Sequence, residues 1–368
     1  GNGSGSGGFP IFIPMPPSES DRPPSERFDG GFVYRPAFTE VERGGKTIAA
    51  VELTEEDIAE AVEAAGGDAN GMLTIDADAE GAAEFVVPVA ALANSGFETV
   101  EVRTARASYR LPISLLDPDE LAARFGEAPG AEWSVTVAIH PLDGAEADRV
   151  RSAAAALGAA AAGDPIRFEV FVHANGRTHE YREFGVYVER TVTLSRMVNV
   201  RKMTAARFDP EAGTLSFVPA TFRTQGGETI ATIKRNGNSV YVLLELERSF
   251  ADLAGHWAAA DIHLLAGKLV LSGTGEDAFD PGREVTRAEF AAMLTRGLGL
   301  SPNAAAAAEF GDIGGDDWFA GAVGAAAAAG LVTGFEDGTF RPHERVTREQ
   351  MAVMFQRAMR LAGMVAAA

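Results

Sequence analysis

Two short stretches of this 368-residue chain place an arginine where a helix is expected to begin. Thr286-Arg287-Ala288-Glu289 and Thr347-Arg348-Glu349-Gln350 each read as a capping box. In that motif the Thr hydroxyl and the third side chain satisfy backbone N–H groups that the first helical turn leaves unpaired. The box puts Arg287 and Arg348 at the first helical position, facing the positive end of the helix dipole, which costs roughly 0.3–1 kcal/mol at an exposed site. An arginine kept there twice, beside free N–H groups, is a receptor for a carboxylate. A charge-assisted bond contributes about 1.5–3 kcal/mol, and the guanidinium fork gives it direction. From spacing alone, an internal ion pair with Asp280, Glu284 or Glu289 serves equally well.

Other chemistry is sparse. The sequence holds no Gly-x-Ser-x-Gly elbow, no His-Glu-x-x-His zinc helix and no Gly-x-x-x-x-Gly-Lys phosphate loop, so no catalytic residues are assigned. His173 and His179 flank a turn and read as exposed strand residues rather than metal ligands. Asp68-Ala-Asn70 and Asp76-Ala-Asp78 have the spacing of a calcium loop without its later ligands, so no metal or cofactor is expected. With no cysteine there are no disulfides, thiolate metal sites or cysteine nucleophile. The charge is lopsided: 32 Lys and Arg against 52 Asp and Glu leave −20, a field that repels nucleic acid and anionic membranes. No apolar run is long enough to insert into a membrane.

The elements that must position the arginines belong to an internal repeat. Phe250-Ala-Asp252 and Trp257 return as Phe310-Gly-Asp312 and Trp318. Leu269 to Gly273 returns as Leu331 to Gly334, Phe279-Asp-Pro281 as Phe340-Arg-Pro342, and Val285-Thr-Arg as Val346-Thr-Arg. Each copy parses as helix, Gly-containing loop, helix. Trp257, Ile262, Leu265 and Leu269 suggest one apolar stripe on the first helix. A Trp in that setting is more often core than ligand platform, although an indole edge at a groove can stack on a sugar. His256 lacks a counterpart, since Asp317 stands in its place, and it reads as surface or capping.

Upstream, strand-like runs recur at 47–53, 72–75, 85–89, 100–103, 133–139, 167–172, 186–194, 229–234 and 239–246. Asn175-Gly176 and Asn236-Gly237 both read as type I′ hairpin turns. Helices are expected from Thr54 to near Gly66 and over Ala145–Ala162. The fold class is therefore multidomain and mixed, with β-rich sandwich-like modules and small helices followed by two all-α helix–loop–helix repeats. The expected divisions are a Gly/Ser/Pro-rich linker over 1–30, β-rich modules at 31–145 and 146–248, and repeats at 249–302 and 309–363. The linker has no signal-peptide pattern and reads as the start of a piece of something longer.

These repeats resemble S-layer homology (SLH) domains, found at the ends of exported bacterial surface proteins. The Phe-x-Asp…Trp opening, the Gly-rich loop with Phe-x-Pro and the Val-Thr-Arg-Ala-Glu-Phe helix start carry the resemblance. It implies an extracellular, cell-wall- or S-layer-associated protein, non-enzymatic in this region. It also implies non-covalent anchoring through a secondary cell wall polysaccharide carrying pyruvate ketals on an amino sugar. In the family the Arg of the Thr-Arg-Ala-Glu stretch contacts the ligand carboxylate, which carries over to Arg287 and, with Glu-Gln replacing Ala-Glu, to Arg348. The other ligand-binding candidates at motif positions are Trp257, Trp318, Asp252, Asp312, Gly273, Gly334, Thr286 and Thr347. SLH domains usually come in threes with grooves between neighbours, so two copies should retain at most one intact groove. The face meant for a third copy should then be open to a further repeat or another chain. The segment 166–247 looks like the β-rich region often found upstream of SLH domains. The competing readings are a structural assembly module without wall binding of its own and, third, a polysaccharide-acting enzyme fragment.

Overall fold

A computed structural model describes residues 26–364 apart from 29, 67–70, 129, 131 and 276. The linker up to residue 25 and the Asp68-Ala-Asn70 stretch lie outside the described residues. The helices are Glu55–Ala64 (α1), Val89–Ala93 (α2), Pro118–Phe125 (α3), Gly144–Ala156 (α4), Ala259–Gly267 (α5), Arg287–Gly297 (α6), Ala304–Ala307 (α7), Ala320–Ala328 (α8) and Arg348–Leu361 (α9). As the sequence suggests, α1 opens on Thr54, whose hydroxyl and partner Asp57 complete a capping box. The expected helix over Ala145–Ala162 is shorter: α4 stops at Ala156, and Gly158 turns the chain with φ +67°.

Two sheets pack face to face. The eight-stranded sheet runs Glu26–Phe28, Gly31–Tyr34, Met72–Asp76, Thr99–Arg103, Ala107–Pro112, Glu183–Leu194, Glu228–Gly237, Ala220–Gln225. The other sheet, of ten strands, runs Thr214–Val218, Met203–Asp209, Ser239–Glu245, Ile166–Ala174, Ser134–Pro141, Ala82–Pro88, Lys46–Glu52, Thr39–Arg43, with Ala160–Ala161 and Arg177–Glu180 paired off this path. Alternation decides which residues face inward: Ile166, Phe168, Val170, Val172 and Ala174 are buried and the residues between them are not. They meet Leu73, Val102, Tyr109 and Ile233 of the opposite sheet in one core. On the outer face of the ten-stranded sheet, α4 lays Ala147, Val150 and Ala154 against Phe208, Val240 and Leu244 as a second core.

The expected boundary at residue 145 has no counterpart in the sheets. Ala107–Pro112 pairs with Glu183–Leu194 and Ser134–Pro141 with Ile166–Ala174, so strands from both sides share each sheet and the main core. Of the two expected hairpins, Asn175-Gly176 forms one, with φ of +51° and +75°. Asn236-Gly237 does not. The strand before it lies in the eight-stranded sheet and the strand after it in the ten-stranded sheet, so the chain crosses between sheets there. The crossing is held by Arg190, a fully buried arginine. Its Nη2 donates to Tyr109 Oη (2.6 Å), Gly237 O (2.9 Å) and Asn238 Oδ1 (3.2 Å), and its guanidinium lies 4.3 Å from the Tyr109 ring and 5.1 Å from that of Tyr241. A tertiary hydrogen-bond set of this kind overrides a local turn preference.

The two C-terminal copies superimpose in sequence with a shift that pairs Leu269 with Gly330, one residue off the Leu269–Leu331 match read from the sequence. Both residues are left-handed, with φ of +62° and +68°. Leucine accepts that conformation because its side chain packs on the second core of the sandwich, a contact the second repeat does not make. Replacing Arg190 by Ala should lower stability by about 3–5 kcal/mol, as for emptying a large buried site, read as a lower urea midpoint at unchanged m-value.

Candidate functional site

The capping boxes form in both repeats. Thr286 Oγ1 accepts from Glu289 N (3.2 Å) and Thr286 N donates to the Glu289 carboxylate (2.9 Å); Thr347 and Gln350 repeat the exchange at 3.3 and 3.2 Å. The donors beyond the box on α6 meet the second repeat. Arg287 N donates to Glu344 O (2.9 Å) and Ala288 N to Pro342 O (3.1 Å), while Val346 N returns a bond to Val285 O (3.0 Å). On α6 the helix-end N–H groups that the sequence offered to a ligand are thus satisfied within the chain, whereas no such bonds form at Arg348 and Glu349 of α9 among the described residues.

Arg287 itself is 5% exposed. Its Nε donates to Phe340 O at 2.9 Å, and the guanidinium sits 4.8 Å from the ring centres of both Phe335 and Phe340. None of the expected carboxylate partners reaches it. Asp280 accepts from the Thr274 hydroxyl, Glu284 pairs with Arg345 and Glu289 pairs with Arg283. Burial draws the guanidinium below its ordinary pKa, with Glu344 opposing and Arg341 adding to the shift. Among the described residues its Nη1 and Nη2 have no hydrogen-bond partner.

Arg287 forms one wall of a groove of about 300 Å³ between the repeats, completed by Val332, Thr333, Glu349, Gln350, Val353, Met354 and Arg357. Arg357 is held by Leu331 O at 3.4 Å. Two guanidiniums, one carboxylate, an amide and a hydroxyl therefore face a slot with an apolar floor. Such a set can take an anionic group and hydroxyls together. Arg357 follows no capping box and had no local signal in the sequence; the packing of α9 on the Leu331–Thr333 segment of its own repeat brings it to the groove.

The remaining candidates divide clearly. Asp252 Oδ2 accepts from Asp280 N and Asp312 Oδ2 from Arg341 N, both at 2.7 Å, and each also takes the preceding Phe N–H. Asp280 and Arg341 have φ of +55° and +58°, so these carboxylates hold a strained residue in each loop. A Cβ on Gly273 would lie 2.6 Å from the Phe250 ring, and one on Gly334 2.8 Å from the Phe310 ring, which explains both glycines by close approach. Trp257 and Trp318 are 89% and 62% exposed, so the core reading fails for both. The apolar stripe of α5 reduces to Ile262 and Ala266, with Leu265 exposed. Neither Trp lines the groove. His256 Nδ1 accepts from Ala258 N and so caps locally. His173 and His179 are half-buried against Thr136 and Glu127.

Arg348 is exposed and, among the described residues, has no hydrogen-bond or ion-pair partner. Comparison of α6 with α9 gives the reason. Arg287, Ala288, Ala291, Ala292 and Thr295 are buried on α6, which packs on α8. At the matching positions of α9, Arg348, Glu349, Ala352 and Val353 are exposed and Gln356 half-buried. The groove beside Arg287 has walls from both repeats, with Glu349 and Val353 of the open α9 face lining it on one side, whereas Arg348 has no facing wall among the described residues.

Two helix–loop–helix copies interlocked by a buried arginine define a tandem-repeat helical module. The S-layer homology domain family matches residues 249–291 and 309–352, and the chain carries two SLH domains. Similar proteins include an amylopullulanase of Thermoanaerobacterium thermosulfurigenes, 33% identical over 172 residues, or 46% of this chain and 9% of that protein. An endoglucanase of Bacillus sp. (strain KSM-635) is 42% identical over 102 residues, 28% of this chain and 10% of its own. The S-layer protein sap of Bacillus anthracis is 33% identical over 115 residues, 31% and 14% respectively. The chain spans about a tenth of these relatives' length. The 172-residue match is longer than the region from Ser249 onward, so similarity to the amylopullulanase continues into the sandwich. SLH domains anchor surface proteins and bind cell wall polymers, which makes this an extracellular, cell-wall-associated protein whose anchoring region is non-catalytic.

The two capping boxes differ in titration. Burial pushes the Glu289 carboxyl up, but the Arg283 guanidinium and the Thr286 contacts outweigh it, so its pKa lies below the ordinary value. A depressed carboxyl contributes stability above its unfolded pKa of about 4.3 and loses it as pH falls through the folded value. Gln350 does not titrate. NMR amide shifts should therefore show the Thr286 N–H moving with a midpoint below about 4.3 while that of Thr347 stays fixed, and Glu289→Gln should abolish the difference. Gly273→Ala or Gly334→Ala should cost about 1–3 kcal/mol in thermal unfolding through overpacking against the Phe ring.

Proposed function

We propose that the inter-repeat groove anchors this protein to the bacterial wall by binding an acidic secondary wall polysaccharide, with Arg287 as the carboxylate contact. The observation that carries this reading is the state of Arg287. Its Nε bonds Phe340 O and its guanidinium lies against the Phe335 and Phe340 rings of the second repeat, while its two terminal nitrogens, on a side chain that lines the groove, have no protein acceptor among the described residues. A planar fork fixed in this way suits a carboxylate of the pyruvate-ketal type, which offers two oxygens in one plane. Thr333 and Gln350 would then serve sugar hydroxyls, and Arg357 would add the second positive charge.

Residues 249–368 carry nine Lys and Arg against fifteen Asp and Glu, so an anionic polymer gains nothing from long-range steering. Recognition then depends on contacts within the screening length of about 8–10 Å. Arg348 stands at the matching position of a groove with one wall. It becomes a second carboxylate contact when a further SLH-type first helix covers α9 as α8 covers α6, whether from a third repeat or from another copy. Occupancy of both grooves would multiply affinity along a repeating polymer. The open α9 face also supports the assembly reading, in which docking of such a helix is the main role.

Binding to purified wall sacculi distinguishes these. Arg287→Lys keeps the buried charge and loses the fork, and should weaken sacculus binding at least about tenfold with an unchanged circular dichroism spectrum. Arg348→Ala in the same chain should change binding by less than about twofold. Equal effects of the two, or none, would remove Arg287 from the ligand contact. Concentration-dependent oligomers without sacculus binding would favour assembly.

A further inference from the structure

Between α6 and α7 the chain passes through Leu298-Gly299-Leu300-Ser301, and the sandwich grips three of these four residues. Tyr187, on the strand Glu183–Leu194, donates its hydroxyl to Leu298 O at 2.6 Å. Gly299, with φ +65°, lies so close to the sandwich that a Cβ there would be 2.6 Å from Pro219 Cδ. Arg235, 1% exposed at the end of the strand Glu228–Gly237, donates Nη2 to Ser301 Oγ and pairs with Glu183 at 3.6 Å. Burying a guanidinium is costly, and this one has an Nε with no partner among the described residues. Its Nη1 donates to Tyr241 Oη in the sandwich core (3.4 Å), so the one guanidinium ties that core to the linker.

We infer that Tyr187 and Arg235 are positioning residues for the wall-binding groove. The linker they hold joins the C-terminal end of α6 to the second repeat. Leu300 N closes α6 on Thr295 O at 3.0 Å, and Asn303 N bonds Gly321 O at 2.8 Å, so the held segment is tied directly to both repeats. Arg287 stands at the other end of α6, and a rigid helix fixed at one end fixes the position of the other. The sandwich is thereby an active part of the anchor, setting how deeply Arg287 enters between Phe335 and Phe340, rather than a passive spacer. The inference rests on the groove being the binding site only for its effect on affinity; its effect on the repeat interface is independent of any ligand.

The test uses the full chain carrying Tyr187→Phe together with Ser301→Ala, which removes two hydroxyls and leaves both side-chain volumes nearly unchanged. Amide hydrogen exchange at Arg287 and Ala288, which bond to the second repeat, should accelerate roughly three- to tenfold, the equivalent of one ordinary hydrogen bond. Exchange at Val137 and Val170 in the sandwich core should not change. Sacculus affinity should fall by a similar factor, and restoring the linker hydroxyl with Ser301→Thr in the Tyr187→Phe background should recover part of both effects. Unaltered exchange at Arg287 and Ala288 would overturn the inference. Accelerated exchange in a protein whose wild type does not bind sacculi would uphold the positioning role and overturn the groove as the wall-binding site.

Discussion

The two repeats depend on one interaction, the insertion of Arg287 between two phenylalanine rings of the neighbouring copy. A guanidinium is weakly hydrated for a cation and has flat faces, so two aromatic surfaces and a carbonyl can replace most of its water. A carboxylate would do so more strongly. It would also consume the terminal amino groups and close the site. The protein instead pairs Glu284 and Glu289 with Arg345 and Arg283, which leaves Arg287 held but chemically available. The backbone bonds of Arg287 and Ala288 to Glu344 and Pro342 fix the same point from the main chain. Binding capacity and repeat packing thus reside in one side chain, and each limits how the other can vary.

The same economy of charge runs through the sandwich. In a chain of net charge −20, Arg190 and Arg235 are among the most deeply buried side chains. Among the described residues Arg190 has no carboxylate partner and Arg235 only the exposed Glu183 at 3.6 Å, and the other acceptors are carbonyl oxygens, tyrosine and serine hydroxyls and an asparagine. Such sites are costly to desolvate, and their geometry must therefore be well satisfied to persist. Arg190 fixes where the chain crosses between sheets, and Arg235 carries that rigidity outward to the linker between the repeats. The strained loop residues Asp280 and Arg341 follow the same logic on the surface, each held by a motif aspartate.

The capped helix starts, the repeat itself, the glycine positions and about half of the strands were legible in the sequence, because capping, periodicity and close approach are set by residues near one another in the chain. The strands Ala107–Pro112, Met203–Asp209 and Ala220–Gln225 were not recognised, since their alternation is diluted by Ala, Arg and Thr. For Trp257 and Trp318 the sequence left core and ligand platform both open, and both are exposed; a large aromatic on an amphipathic segment has no local signal that says which way it faces.

By itself the sequence determined that two SLH-type helix pairs exist, that each begins with a threonine cap followed by arginine, and that an acidic chain must recognise any anionic polymer at short range. Only the tertiary structure decided that the arginines are unequal. Arg287 is buried against a neighbour while Arg348 stands open, and Arg357 joins the groove from another helix. Burial and groove formation come from contacts between elements some 50 residues apart, and no local pattern of residue types encodes which copy of a motif will be covered.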